Sequence, residues 1–118
     1  MEYFYYFETA SLTLRVFDYL CSQPQLPIDC VAAIHQMDGW LVKITMNSPL
    51  NFQQDSNLRA YLIELGIPQE PSKRISRALA SLEEGLSPFE IMRRYQVVVV
   101  FYGSLQQEEI QALRQLLI

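Results

Sequence analysis

The residues in this 118-residue chain with reactive side chains are one histidine, two cysteines, two pairs of adjacent glutamates and a cluster of arginines. His35 carries the only side chain that ordinarily titrates near neutral pH, so it could serve as a base or a ligand contact. Trp40 lies a short turn away, and the two together suggest a small-ligand or weak enzymatic pocket. The plainer reading is a histidine at the rim of a core, satisfied by a hydrogen bond, because general-base work needs a positioned partner. Cys30 is five residues from His35. On one strand that odd separation sends the two side chains to opposite faces, which argues against a thiol–imidazole pair. Cys21, Cys30 and His35 are one ligand short of a tetrahedral zinc site, and no metal or cofactor is expected. Two cysteines are too few for a disulfide framework and read as reduced thiols. Glu83-Glu84 and Glu108-Glu109 are adjacent in sequence. Neighbouring helix positions do not converge on one substrate, and acids in a first turn are explained by the helix dipole. No nucleophile elbow or phosphate-binding glycine loop occurs. The chain reads as non-catalytic.

The arginines are unevenly placed. Lys73, Arg74, Arg77, Arg93 and Arg94, five of nine basic residues, fall between Ser72 and Tyr95 beside three of thirteen acidic ones. The whole chain carries −4. Arg74, Arg77, Arg93 and Arg94 therefore suggest a docking patch for an acidic partner protein; the plainer reading is the solvated faces of two amphipathic helices. Nucleic-acid binding through the Lys73–Arg94 helices is an alternative. Ser87–Tyr95 is phrased like the first half of a helix-turn-helix, but a valine-rich strand stands where a recognition helix should follow. Net negative charge also opposes phosphate binding. The aromatic run Tyr3–Phe7 could stack bases on a sheet, yet no matching basic and aromatic strand accompanies it.

The elements that must position these residues follow from periodicity. Tyr3–Phe7 reads as a strand within Met1–Glu8. Residues 11–22 have Leu12, Val16, Tyr19 and Leu20 at helical spacing, with a strand as the rival reading; Thr9 or Ser11 would cap the helix. Cys30–Met37 and Trp40–Asn47 flank Asp38-Gly39, a hairpin signal. That loop pairs Met37 with Trp40 and His35 with Val42. One hairpin face becomes Val31, Ala33, His35, Met37, Trp40, Val42, Ile44 and Met46; the other, Ala32, Ile34, Gln36, Leu41, Lys43 and Thr45, is mixed. A helix capped by Asp55 or Ser56 runs to Gly66, and Pro68 and Pro71 stiffen a link. Ser72 and Ser87 open two more helices. Val97–Tyr102 is a fourth strand, and a final helix directs Leu105, Ile110, Leu113 and Leu117 inward.

The order β-α-β-β-(α-α-α)-β-α contains that of the ferredoxin-like sandwich. The expected fold is α+β: one domain over residues 1–118, a four-stranded sheet with helices mainly on one face, in two layers. The first and last strands are apolar on both faces, so something covers the second face: the last helix or a second copy of the chain. Tyr3, Tyr5, Val98 and Val100 are the candidate self-association residues of a homodimer. No apolar run approaches the roughly 18 residues of a membrane span, and Met1-Glu2-Tyr3 does not read as a signal peptide. The expectation is a small cytoplasmic interaction protein, adaptor or regulatory.

Overall fold

A computed structural model of the chain describes residues 1–36 and 38–117. The strand β1 (Glu2–Phe7) leads into the helix α1 (Ala10–Cys21), the hairpin β2 (Ile28–Gln36) and β3 (Gly39–Met46), and the helix α2 (Phe52–Leu65). A two-residue strand, β4 (Ile67–Pro68), follows directly. The helices α3 (Lys73–Glu83) and α4 (Pro88–Tyr95) precede β5 (Val98–Gly103) and α5 (Gln107–Leu117). The α+β class is as expected, but the antiparallel sheet has five strands in the order β4-β1-β3-β2-β5.

The valine strand expected over Val97–Tyr102 is present as Val98–Gly103, but it is the fifth strand, because Ile67-Pro68 adds one before it. β4 takes the place beside β1, and β5 pairs with β2 at the far edge. Sequence reading took Ile67-Pro68 for a link because two residues, one of them proline, leave no periodic trace.

Side-chain oxygens at the helix starts set several boundaries. Thr9 accepts from the Leu12 amide at 3.1 Å, which starts α1 as a helix and settles the helix-or-strand question at residues 11–22. Asn51 and Gln54 form a reciprocal capping box, so α2 starts a turn before the expected Asp55 or Ser56. Ser72 and Ser87 cap α3 and α4 as read.

The hairpin register differs from the expected one by one place on each strand. Gln36 pairs with Gly39, and His35 with Trp40 rather than Val42. Met37 lies outside the described residues. The face assignment survives, because moving both partners by one preserves side-chain parity. Gly39 owes its place to a close approach rather than to a left-handed turn. A Cβ there would come within about 2.5 Å of the Phe7 carbonyl oxygen and the Tyr6 hydroxyl.

Both sheet faces are covered by the chain itself. Tyr3, Tyr5, Phe7, Val31, Ala33, Val42 and Ile44 pack with Leu14, Val16, Phe17, Leu58, Leu62, Ile110 and Leu113, placing α1, α2 and α5 on one side. Ala32, Ile34 and Leu41 pack with Ile75, Ala78, Leu79, Leu82, Ile91 and Val97, placing α3 and α4 on the other. The expected two-layer arrangement is corrected to helices on both faces. The second face is closed by α3 and α4, not by the last helix, which packs beside α1. The side chain of Leu117 lies outside what the structure describes.

One charge sits inside this second layer. Lys43, on β3 and 6 % exposed, pairs with Glu2 at 3.0 Å and with Glu83 at the end of α3. Burial alone would pull its pKa down, but the two carboxylates outweigh that and raise it. The ion triad ties β1, β3 and α3 together. Both glutamates keep nearly half their side-chain exposure, so they remain solvated when Lys43 is lost, whereas Lys43 does not when they are lost. Lys43→Met should therefore change stability by less than about 1.5 kcal/mol. The Glu2→Gln/Glu83→Gln double variant should cost about 3 kcal/mol by leaving a buried cation unpaired. Urea denaturation of both checks this; equal losses would mean the triad has no such asymmetry.

Candidate functional site

The helices α3 and α4 form an outer layer with two different surfaces. Ile75, Ala78, Leu79 and Leu82 face the sheet. Their spacing turns Lys73, Arg74 and Arg77 to solvent, and all three are exposed. On α4, Ile91 is the inward anchor, and Phe89, Arg93 and Arg94 are exposed. Phe89 and Arg93 are four residues apart and share one helix face. Phe89 is 69 % exposed, unusual for a phenylalanine with a core beneath it. Arg93 bonds Glu90 at 3.0 Å, and a Ser81–Tyr95 hydroxyl contact of 2.9 Å joins the two helices.

The other basic side chains are scattered. Lys43 is enclosed by carboxylates, Arg59 pairs with Asp55 and Arg114 with Asp18. Arg15 is exposed on α1, on the opposite side of the sheet.

At the N-terminal end of α3 the layer meets the hairpin in an open cleft of about 620 Å³. His35, Gln36, Gln69, Arg74, Gln96 and Val98 contribute to its walls, with Ser72 and Ile75. Sequence reading assigned His35, Arg74 and Val98 to three separate surfaces, and the fold brings them to one cleft. Gln96, with its φ at 56°, is held in the left-handed region between α4 and β5, which turns the chain along the cleft wall. Trp40 does not line the cleft: it is buried against the His35 ring, centroids 4.4 Å apart. Arg77, Arg93 and Arg94 also lie outside the cleft walls.

The self-association residues separate too. Tyr3 and Tyr5 are 2 % and 3 % exposed inside the first core, so their surface is used within the chain. Val98 is 51 % exposed and Val100 is half-buried, both on the edge strand β5.

The titratable groups away from the cleft are held in their uncharged or paired forms. Burial pushes the Cys21 thiol up, and burial likewise raises that of Cys30 despite a Tyr102 hydrogen bond that opposes it. Tyr102 is pushed up to about 12 by burial and by Cys30 beside it. Cys30 and His35 stand on opposite sheet faces, since the pairing of β2 with β3 runs unbroken between them.

A second cluster, absent from the sequence reading, joins β1 to α2. The Tyr3 hydroxyl donates to Asp55 Oδ1 at 2.6 Å, Arg59 pairs with the same carboxylate at 3.1 Å, and the Arg59 guanidinium lies 4.8 Å from the Tyr3 ring centre. The Tyr3 bond, with Arg59, lowers the Asp55 pKa, and burial and Asp55 push Tyr3 up to about 12. The Asp55–Arg59 spacing of four was the only trace of it in the sequence.

No family model matches the chain, and no curated protein or solved structure is significantly similar to it.

Two outcomes follow. A depressed folded-state pKa makes Asp55 stabilising above the ordinary carboxylate range, and that contribution is lost as pH falls through the depressed value. Asp55→Asn should cost about 1.5 kcal/mol at neutral pH and flatten the acid limb of a Tm–pH profile; parallel profiles would contradict it. His35→Ala should change stability by no more than about 0.5 kcal/mol, since His35 is exposed. It should also shift Trp40 fluorescence to the red by uncovering the indole. An unshifted emission would mean the ring contact is not maintained.

Proposed function

We propose that the chain is a non-catalytic interaction protein whose α3–α4 layer docks an acidic partner protein. The observation that carries this reading is that Lys73, Arg74, Arg77, Arg93 and Arg94 are all exposed on the α3–α4 layer, which also exposes Phe89. Arginine and aromatic side chains are the types that anchor protein interfaces, and Phe89 and Arg93 share one exposed helix face. Complementary charge also speeds encounter with an acidic surface. The layer is rigidly backed: its inward stripe is part of the core, so docking needs no prior ordering of the helices.

A second reading rests on the cleft. His35, Arg74 and the amides of Gln36, Gln69 and Gln96 suit a small anionic ligand, in a volume within the roughly 300–1,000 Å³ range of small-molecule sites. The two readings share Arg74 and part at His35, which only the ligand would need. Nucleic-acid binding is a weaker reading, since it asks a chain of net charge −4 to attract phosphate.

Fluorescence anisotropy with a labelled peptide rich in Asp and Glu and bearing one leucine separates the readings. Binding should weaken with salt and fall at least about tenfold, 1.4 kcal/mol, in an Arg74→Glu/Arg77→Glu variant. Arg15→Glu, on the opposite side, should leave it unchanged. Binding that ignores the Arg74/Arg77 reversal would overturn the docking reading. Tighter binding to duplex DNA than to the peptide would favour nucleic acid.

A further inference from the structure

Glutamines from three separate segments meet at the cleft beside α3. Gln36 ends β2, Gln69 follows β4 and Gln96 lies between α4 and β5. Gln36 continues the Ala32–Ile34 row of β2, so it faces the α3 side of the sheet. The Gln69 amide donates to the Phe4 carbonyl at 3.2 Å and the Gln96 amide to the Met92 carbonyl at 2.9 Å, which fixes both backbones. Gln23, Gln25, Gln53 and Gln54 use their carboxamides within the chain. Among the described residues, those of Gln36, Gln69 and Gln96 have no partner in the chain. Arg59, Arg93 and Arg114 are ion-paired, whereas Arg74 has no such partner among the described residues. Gln96 is also the one described non-glycine residue with positive φ. Glycine takes that conformation at a helix end without steric cost. A glutamine there strains the backbone and keeps its side chain at the cleft wall.

The chemistry of the walls selects the ligand. Arg74 is the one permanent charge among the nine described lining residues; none is acidic, and none carries a phenyl or indole ring on which a base could stack. A single guanidinium suits one oxyanion, phosphate or carboxylate. Carboxamides donate and accept at once, as hydroxyl groups do, so three of them match a body bearing several hydroxyls. Buried Ile75 and Val97 give the cleft an apolar strip that suits the C–H face of a sugar. The volume of about 620 Å³ is that of a site for an organic ligand and not for a bare ion. Resting on the reading of this cleft as a small-anion site, we infer that it binds a small hydroxylated oxyanion, a sugar phosphate or a sugar acid, with Arg74 on the charged group and Gln36, Gln69 and Gln96 on the hydroxyls.

Titration of the isotope-labelled full-length chain with glucose-6-phosphate, gluconate, glucose, inorganic phosphate and acetate, followed by NMR, tests the assignment. At least one of the two hydroxylated anions should shift the side-chain amide signals of Gln36, Gln69 and Gln96. It should bind at least about tenfold tighter than glucose, phosphate or acetate. The tighter of the two names the acid group. Arg74→Ala should weaken that binding about tenfold and Gln36→Ala about fivefold. Arg15→Glu, on the opposite side of the sheet, should leave it unchanged. Gln96→Gly should weaken binding while raising the Tm, because it removes the carboxamide and relieves the left-handed backbone. A residue that served only the fold would not move the two in opposite directions. Phosphate or acetate binding as tightly as the hydroxylated anions would overturn the ligand class and leave the anion site standing. So would binding that Gln36→Ala and Gln96→Gly both leave intact. Glucose binding as tightly as the anions, or cleft signals that no anion moves, would overturn both.

Discussion

The structure depends on a sheet that is apolar on both faces. Every residue of β3 except Thr45 is buried, and β2 sends Val31 and Ala33 to one side and Ala32 and Ile34 to the other. Such a sheet cannot leave a face in water, and one layer of helices covers only one face. The stretch between β4 and β5 supplies the second layer. The α3–α4 pair is thus a requirement of the sheet and not a decoration on a smaller fold. It occupies the place that sequence reading gave to the last helix or to a second molecule.

That same pair carries the proposed docking surface, so the core and that surface share two helices with opposite faces. Ile75, Ala78, Leu79, Leu82 and Ile91 hold the layer down. The arginines and Phe89 point away. Between them Lys43 is the one buried cation among the described residues, joined to Glu83 of α3 and Glu2 of β1. Buried ion pairs add little net stability over apolar replacements, but they are intolerant of losing one partner. Here the triad joins α3 to β1 and β3 at one charged point in an otherwise apolar contact.

The ionisable groups of the two cores are held quiet. The thiols of Cys21 and Cys30 and the phenols of Tyr3 and Tyr102 are all raised. Burial is the leading cause in each. These shifts keep the four groups uncharged near neutral pH, as structural side chains are.

Local chemistry was legible in the sequence. Ser72 and Ser87 cap helices as expected, and of the two expected caps Thr9 and Ser11 it is Thr9 that serves, because a cap is decided by an oxygen three residues from an amide. The two faces of the hairpin were legible because side-chain parity outlasts a shifted turn. The Arg74–Arg94 cluster was visible as a run of residues. What needed the tertiary structure was every relation between distant segments. β4 is a strand only because Tyr5 and Tyr6 of β1 lie alongside it; Ile67 and Pro68 carry no strand signal of their own. Tyr3 meets Asp55 and Lys43 meets Glu83 across 52 and 40 residues, and periodicity has no term for such distances. Sequence alone determined which side chains are apolar, where helices begin and which strand residues share a face, since those follow from neighbours within a few positions. Which layer covers which face, and that His35, Arg74 and Val98 border one cleft, was decided only by closing both sides of the sheet at once.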